Sequence, residues 1–143
     1  MPQSIEIHRD DFIISTDNAR LDLDAVVDLL SHAYWTTGRT RETIVHSIQH
    51  SLVFGLYDGK RQIGLARVVS DYATFAWLCD VFIDEEYRGR GLAKWLMETV
   101  TGHPDLQGLK RFLLVTRDAH GLYAQFGWKP LSSPDRWMER LNG

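Results

Sequence analysis

The sequence predicts a mixed α/β fold, a mostly antiparallel twisted sheet of about six to seven strands flanked by about four helices. Three observations carry this expectation. Two apolar runs, Ser51–Tyr57 and Gln62–Ser70, are joined through Asp58-Gly59, a hairpin signature that calls for antiparallel pairing. A nearly continuous apolar run from Ala73 to Ile83 is followed by an acidic stretch and two glycines. Then Leu92, Trp95, Leu96, Thr99 and Val100 recur at the spacing of one buried helical face. Finally, the elements run strand, two helices, three strands, helix, strand, helix, strands, which is not the regular alternation of a doubly wound parallel sheet.

The first strand is Phe12-Ile13-Ile14-Ser15-Thr16, turned by Asp17-Asn18. Leu23, Val26, Val27, Leu29 and Leu30 mark a helix running from Leu21 to about Trp35, with Asp22 or Asp24 near its start where a carboxylate suits the helix dipole. Thr36 to Arg39 is a loop. Thr40 is placed to cap a second helix that buries Ile44, Val45 and Ile48; Thr43 stands where a capping box would have an acid. The hairpin strands follow. The run from Ala73 to Ile83 suits a central strand covered on both faces. The helix begun at Leu92 extends to about Thr101 and is broken by Gly102-His103-Pro104. Arg111–Thr116 is a further strand, and Ala119–Phe126 a short helix stopped by Gly127. Trp128-Lys129-Pro130 and Trp137–Arg140 supply two last strands, with Pro130 marking an edge or end.

At 143 residues the expectation is one domain spanning 1–143, long enough for a real core. A net charge of −3 leaves no global footprint for nucleic acid or a membrane surface, so neither is expected as a partner. Cys79 is alone, which excludes an internal disulfide and suits a reducing compartment. Met1-Pro2-Gln3-Ser4-Ile5-Glu6 lacks the basic region and apolar run of a signal peptide, and no run approaches ~18 apolar residues. The expected location is cytoplasmic. His32, His46 and His50 form no ligand pattern with an acidic residue, so no metal is expected.

The chemistry concentrates in Val81-Phe82-Ile83-Asp84-Glu85-Glu86-Tyr87-Arg88-Gly89-Arg90-Gly91-Leu92-Ala93, a strand that turns into a helix. A helix start presents N–H groups without intrahelical acceptors at the positive end of the dipole, a ready site for phosphate. Gly89 and Gly91 let a diphosphate approach the backbone, and Arg88 and Arg90 add charge. Neither a P-loop nor a dinucleotide fingerprint is present: no Gly-Lys-Ser/Thr follows, and Lys94 stands where the third glycine of the fingerprint belongs.

Arg88-Gly89-Arg90-Gly91-Leu92-Ala93 fits the signature Arg/Gln-x-x-Gly-x-Gly/Ala, and Leu122-Tyr123-Ala124-Gln125-Phe126-Gly127-Trp128 follows in the expected order. In these residues, and in element order over nearly its whole length, the chain resembles the GNAT N-acetyltransferase superfamily. The resemblance implies transfer of an acetyl group from acetyl-CoA to a primary amine of a small molecule, or of a peptide or protein. The amine attacks directly in a ternary complex, with no acyl-enzyme.

The resemblance also implies site residues. The backbone of Val81, Phe82 and Ile83 would pair with the pantetheine arm, and Arg88, Gly89, Arg90, Gly91, Leu92 and Ala93 would hold the diphosphate. Tyr123 matches the family tyrosine that serves as acid to the leaving thiolate; a phenol with a pKa of about 10 is protonated at neutral pH. Trp128 stands where Phe is usual. Thr116 occupies the place of a pantetheine-contacting Asn, and a hydroxyl there can still hydrogen-bond.

The amine must lose a proton to attack. Asp80, a carboxylate in an otherwise apolar strand, is the candidate base, since burial would raise its pKa; the competing reading is a structural Asp paired with an arginine such as Arg67. Asp118 and His120 are further candidates acting through water. Tyr34, Trp35, Tyr72 and Trp77, with Asp71 and Phe75, would line an acceptor pocket where the first two helices meet the sheet, suited to an amine cation.

Two other readings stay open at this level. A non-catalytic acyl-CoA-binding module would keep Arg88–Ala93 but need no Tyr123. An anion-binding or nucleic-acid-binding domain would use Arg88, Arg90, Lys94, Lys110 and Arg111, against the acidic net charge. The oligomeric state is open; a homodimer is common for such domains, and Trp128 or Trp137 would offer an interface.

Overall fold

Local signals decide most element starts. In the structure, a computed structural model that describes residues 2–142, the Asp22 carboxylate accepts from the Ala25 N–H at 3.1 Å and opens α1 (Leu23–Ser31). The Thr40 hydroxyl accepts from the Thr43 N–H at 3.1 Å and opens α2 (Arg41–Gln49). Between them Tyr34–Thr36 forms one 3-10 turn. The strands are β1 (Glu6–Arg9), β2 (Phe12–Ser15), β3 (Leu52–Asp58), β4 (Arg61–Ser70), β5 (Phe75–Ile83) and β6 (Arg111–Leu114), with α3 (Leu92–Thr101) before β6 and α4 (His120–Ala124) after it. They form one six-stranded sheet in sequence order; every neighbouring pair is antiparallel except β5 with β6.

Helices cover both faces. On one, Phe54 and Leu56 of β3, Ile63, Ala66 and Val68 of β4, and Trp95, Leu96, Met97 and Val100 of α3 form the larger cluster. On the other, Val53, Leu65 and Phe82 meet Val26, Leu29 and Leu30 of α1 and Ile44 and Ile48 of α2. This puts β3 at the centre, buried at every position from Leu52 to Tyr57. The sequence expectation gave that place to Ala73–Ile83. Instead β5 lies next to the edge, with Ala76, Leu78, Asp80 and Phe82 buried and Trp77, Cys79 and Val81 less so. Its apolar residues serve both the helical layers, at Ala76, Phe82 and Ile83, and a cavity wall, at Trp77, Cys79 and Val81.

β1 was not visible in the sequence because Ile7 is the sole apolar residue of Glu6-Ile7-His8-Arg9. Pairing with β2 holds it. The two last strands expected at Trp128–Pro130 and Trp137–Arg140 are absent: after α4 the described residues contain no strand, only a 3-10 turn at Pro134–Arg136. Pro130 and Pro134 lack an N–H to donate to a ladder, and side chains hold the segment instead. The Trp128 indole N–H donates to the Phe112 carbonyl at 2.9 Å, and its ring stands edge-on to Phe112 and Tyr123. Trp128 is therefore packed within the chain, while Trp137 stays exposed.

Candidate active site

Two irregularities of β5 create the site. Phe75–Leu78 pair with β6, but from Cys79 onward no strand lies on that side. β4 stays paired on the other side, and its register slips: Leu65 opposes Phe82 whereas Arg67 opposes Cys79. One extra residue is thus held in β5, a bulge that bends the strand away from β6. Asp80 sits in it with φ 51°, a left-handed conformation that Asp tolerates better than most residues. The backbone of Val81, Phe82 and Ile83 is left facing a cavity of about 810 Å³ between β5 and the β6–α4 loop.

At the far end of β5 a turn over Glu85–Tyr87 leads to the helix start. Gly89 and Gly91 have φ of 79° and 75°, values that L side chains rarely adopt, and a Cβ on either would meet no protein atom within 4 Å. Gly91 caps α3 without any side-chain hydrogen bond, and among the described residues the N–H groups of Leu92, Ala93 and Lys94 find no acceptor. The loop is braced: Arg88 Nε donates to the Ile83 carbonyl at 3.1 Å, Arg90 lies over Tyr87, and the Tyr87 hydroxyl donates to Asp58 at 2.8 Å. A rigid, electropositive backbone concavity results, with room for an anion. The Leu92 side chain is buried in the larger core cluster, so only its backbone belongs to this site.

Tyr123, on α4, lines the same cavity as Val81–Ile83, Arg88, Ala93 and Thr116. Its ring is buried against Trp128, and among the described residues its hydroxyl has no hydrogen-bond partner. Burial, with the nearby Asp118 and Tyr34, raises its pKa above the ordinary phenol value. The phenol therefore remains a proton donor through neutral pH. The Thr116 hydroxyl accepts from the Ala119 N–H at 3.0 Å and so shapes the loop entering α4.

Asp80 differs from its expected state. Burial alone pushes its pKa up, but the Arg67 hydrogen bond and charge, the Arg39 charge and the Trp35 hydrogen bond outweigh it, and the net shift is downward. Arg67 Nε and Arg39 Nη1 both donate to Oδ2 at 2.8 Å, and the Trp35 indole N–H donates to Oδ1 at 2.8 Å. The side chain is 1% exposed. A carboxylate held this way is a poor base, which corrects the expectation of a raised pKa. Its partners show its use: it anchors the loop between α1 and α2 onto the bulge. Burial pushes the neighbouring Cys79 thiol up to about 11, against partial relief from Arg67. The thiol is protonated at neutral pH and thus a weak nucleophile.

Tyr34, Trp35 and Trp77 line the cavity as expected residues of an acceptor pocket, and Asp118 joins them. Tyr72 does not. It lies in the β4–β5 turn with φ 60° and packs on the larger core cluster. Asp71 accepts from the N–H groups of Ala73, Thr74 and Phe75 and so builds that turn. His120 also lies outside the lining. Two residues were missed, Arg39 and Arg117, both in the lining. The sequence carried only a partial signal: a buried Asp in an apolar strand demands cations without saying which, and Arg117 follows the end of β6. Among the described residues no cluster of His, Cys, Asp or Glu is arranged to hold a metal ion, and no helix is long and apolar enough to cross a membrane.

Known proteins match this architecture. The profile of the acetyltransferase (GNAT) family matches residues 20–128, most of the chain. A crystal structure from Xanthomonas campestris pv. campestris, of a protein assigned to the GNAT acetyltransferases, is 47% identical, covers 94% of this chain and 96% of its own, and superposes with a TM-score of 0.89. A Gibberella zeae protein assigned as an acetyltransferase is 29% identical over 82% of this chain and 78% of its own length. At 24% identity, a GNAT-family acetyltransferase of Streptococcus pneumoniae shares the fold, with 92% of this chain and 96% of its own covered and a TM-score of 0.71.

Proposed function

The chain belongs to the acetyltransferase (GNAT) family, a family of acyl-group transfer, and we propose that it uses acetyl-CoA to acetylate a primary amine by direct attack in a ternary complex. The observation that carries this reading is the convergence of three features on one cavity: the unpaired edge of Val81–Ile83, Arg88 and Ala93 on either side of the glycines, which themselves lie outside the lining, and a phenol without a protein partner among the described residues. Acetyl-CoA supplies the acetyl group as an activated thioester. The residues present fit it. The glycine concavity suits a diphosphate, and the free strand edge suits an extended amide-containing arm.

The chain's own groups then divide the work. Backbone N–H groups of Leu92, Ala93 and Lys94 and the charge of Arg88 and Arg90 fix the anionic end. The edge of β5 orients the arm. Tyr123 Oη gives its proton to the departing sulfur. Asp80 is committed to its arginines, so the ammonium first loses its proton to water, which Asp118 at the cavity wall can orient, and the neutral amine then attacks. The protonated Cys79 makes an acyl-enzyme unnecessary to the scheme, consistent with direct transfer.

The test is a thermal-unfolding titration with acetyl-CoA, with CoA and ATP as comparisons. At ~100 times its dissociation constant, acetyl-CoA is expected to stabilise the fold by roughly 2.7 kcal/mol, followed by thiol release when a primary amine is supplied. A shift by ATP alone, or by none of the three, rejects the acetyl-CoA site. Gly91→Val sharpens it. The substitution meets no protein atom but fills the concavity and strains a left-handed backbone. Acetyl-CoA affinity is expected to fall at least about tenfold, and stability by about 1–2 kcal/mol. Unchanged affinity would remove the diphosphate from this loop.

A further inference from the structure

The charge in the acceptor half of the cavity is the reverse of what suits a simple cationic amine. Two carboxylates line it: Asp118 is exposed and lies beside Arg117, and Asp80 is closed off, with Arg39 and Arg67 holding one oxygen and Trp35 the other. An incoming ammonium group does not reach Asp80. The cations are more available. Arg39 uses one nitrogen, Nη1, on Asp80; among the described residues its Nε and Nη2 have no acceptor, and its side chain is 25% exposed on the cavity wall.

Arg117 enters from the opposite loop. Its guanidinium lies over the Tyr34 ring at 3.7 Å from the centroid. Its ion pair, with Asp118, is long at 3.9 Å. Tyr34 stands edge-on to Trp35, whose indole binds Asp80, so a continuous chain of contacts joins Arg117 to Arg39 around the cavity. Arg88 belongs to the diphosphate end. Setting it aside, Arg39 and Arg117 line the cavity with Asp80 and Asp118, and Arg67, behind the lining, pairs with Asp80, so the group as a whole carries one cation in excess.

We infer that the acceptor is a small primary amine that also bears a carboxylate, which Arg39 and Arg117 bind. The inference rests on the acetyltransferase reading above. A planar guanidinium fork matches a carboxylate in two parallel hydrogen bonds, and one excess positive charge balances a monoanion. The amino-carboxylate in its reactive form, with a neutral amine, is such a monoanion. Trp35, Tyr34 and Trp77 supply apolar wall for the remainder of the molecule.

The experiment compares kcat/KM, by thiol release from acetyl-CoA, for the proteinogenic L-amino acids and β-alanine against their carboxamides, with phosphoethanolamine and spermidine as further acceptors. At least one free acid is expected to react about tenfold or more faster than its carboxamide, because a site built around a polar group rejects the analogue lacking it. In Arg117→Ala and in Arg39→Lys that ratio is expected to collapse toward one. Arg39→Lys keeps a cation against Asp80, and Arg117 is 67% exposed, so both variants should fold and keep the thermal shift with acetyl-CoA. Equal rates on acids and carboxamides, preference for phosphoethanolamine or spermidine, inert acids, or a ratio that survives both substitutions overturns the inference. A protein that acetyl-CoA stabilises but that shows no acid preference loses only the acceptor class. A protein that acetyl-CoA does not stabilise loses the acetyltransferase reading first.

Discussion

Asp80→Ala is expected to lower folding stability by about 3 kcal/mol, the effect of breaking a buried ion network by removing one partner. The substitution strands Arg67 and Arg39, frees the Trp35 indole N–H, and places alanine at φ 51°. Urea unfolding should show a lower midpoint with an unchanged slope. A loss below about 0.5 kcal/mol would mean that the network contributes nothing net, as some buried ion pairs do not. Acid unfolding gives a second reading. The folded pKa of Asp80 lies below the 3.8 of an unperturbed Asp. A depressed carboxylate contributes stability that is present above its unfolded pKa and lost as pH falls through its folded pKa. The difference between wild type and Asp80→Asn should therefore be constant above about pH 5 and shrink below 3.8. A general base at this position would instead place an Asp80-dependent limb in the neutral pH–rate profile.

Tyr123→Phe is expected to lower kcat roughly 100-fold, the low end of what a positioned general acid contributes, with acetyl-CoA affinity nearly unchanged. The ring's packing against Trp128 survives the change, and the hydroxyl that is removed has no protein partner among the described residues. The split between kcat and acetyl-CoA affinity separates an acid from a packing residue. Because the pKa of Tyr123 is raised, the wild-type rate should carry no limb from its ionisation below about pH 10. Unaltered turnover in the phenylalanine variant would remove Tyr123 from the mechanism.

How legible the molecule was depended on the range of the forces involved. The α3 stripe from Leu92 to Val100, the cap at Thr40, the carboxylate near the start of α1 and the glycines before α3 each express a physical preference within a few residues of chain, and each appears where the sequence puts it. β1 did not, because one apolar residue in four carries no period and its stability comes from β2. The final strands failed for the opposite reason. Tryptophans near 128 and 137 look like strand residues, but one is consumed by packing on Phe112 and the other lies against Arg111.

The sequence by itself determined the run of elements from β2 to α4, the glycine-bearing start of α3 and the tyrosine that follows it, since backbone conformation and periodicity are local properties. Only the tertiary structure decided what Asp80 does, that Tyr72 leaves the site, and that Arg39 and Arg117 enter it. Arg39 and Asp80 are 41 residues apart in the chain. Whether a buried carboxylate becomes a base or an anchor depends on which cations the fold brings beside it, and electrostatic pairing across such distances has no signature in any single stretch of sequence.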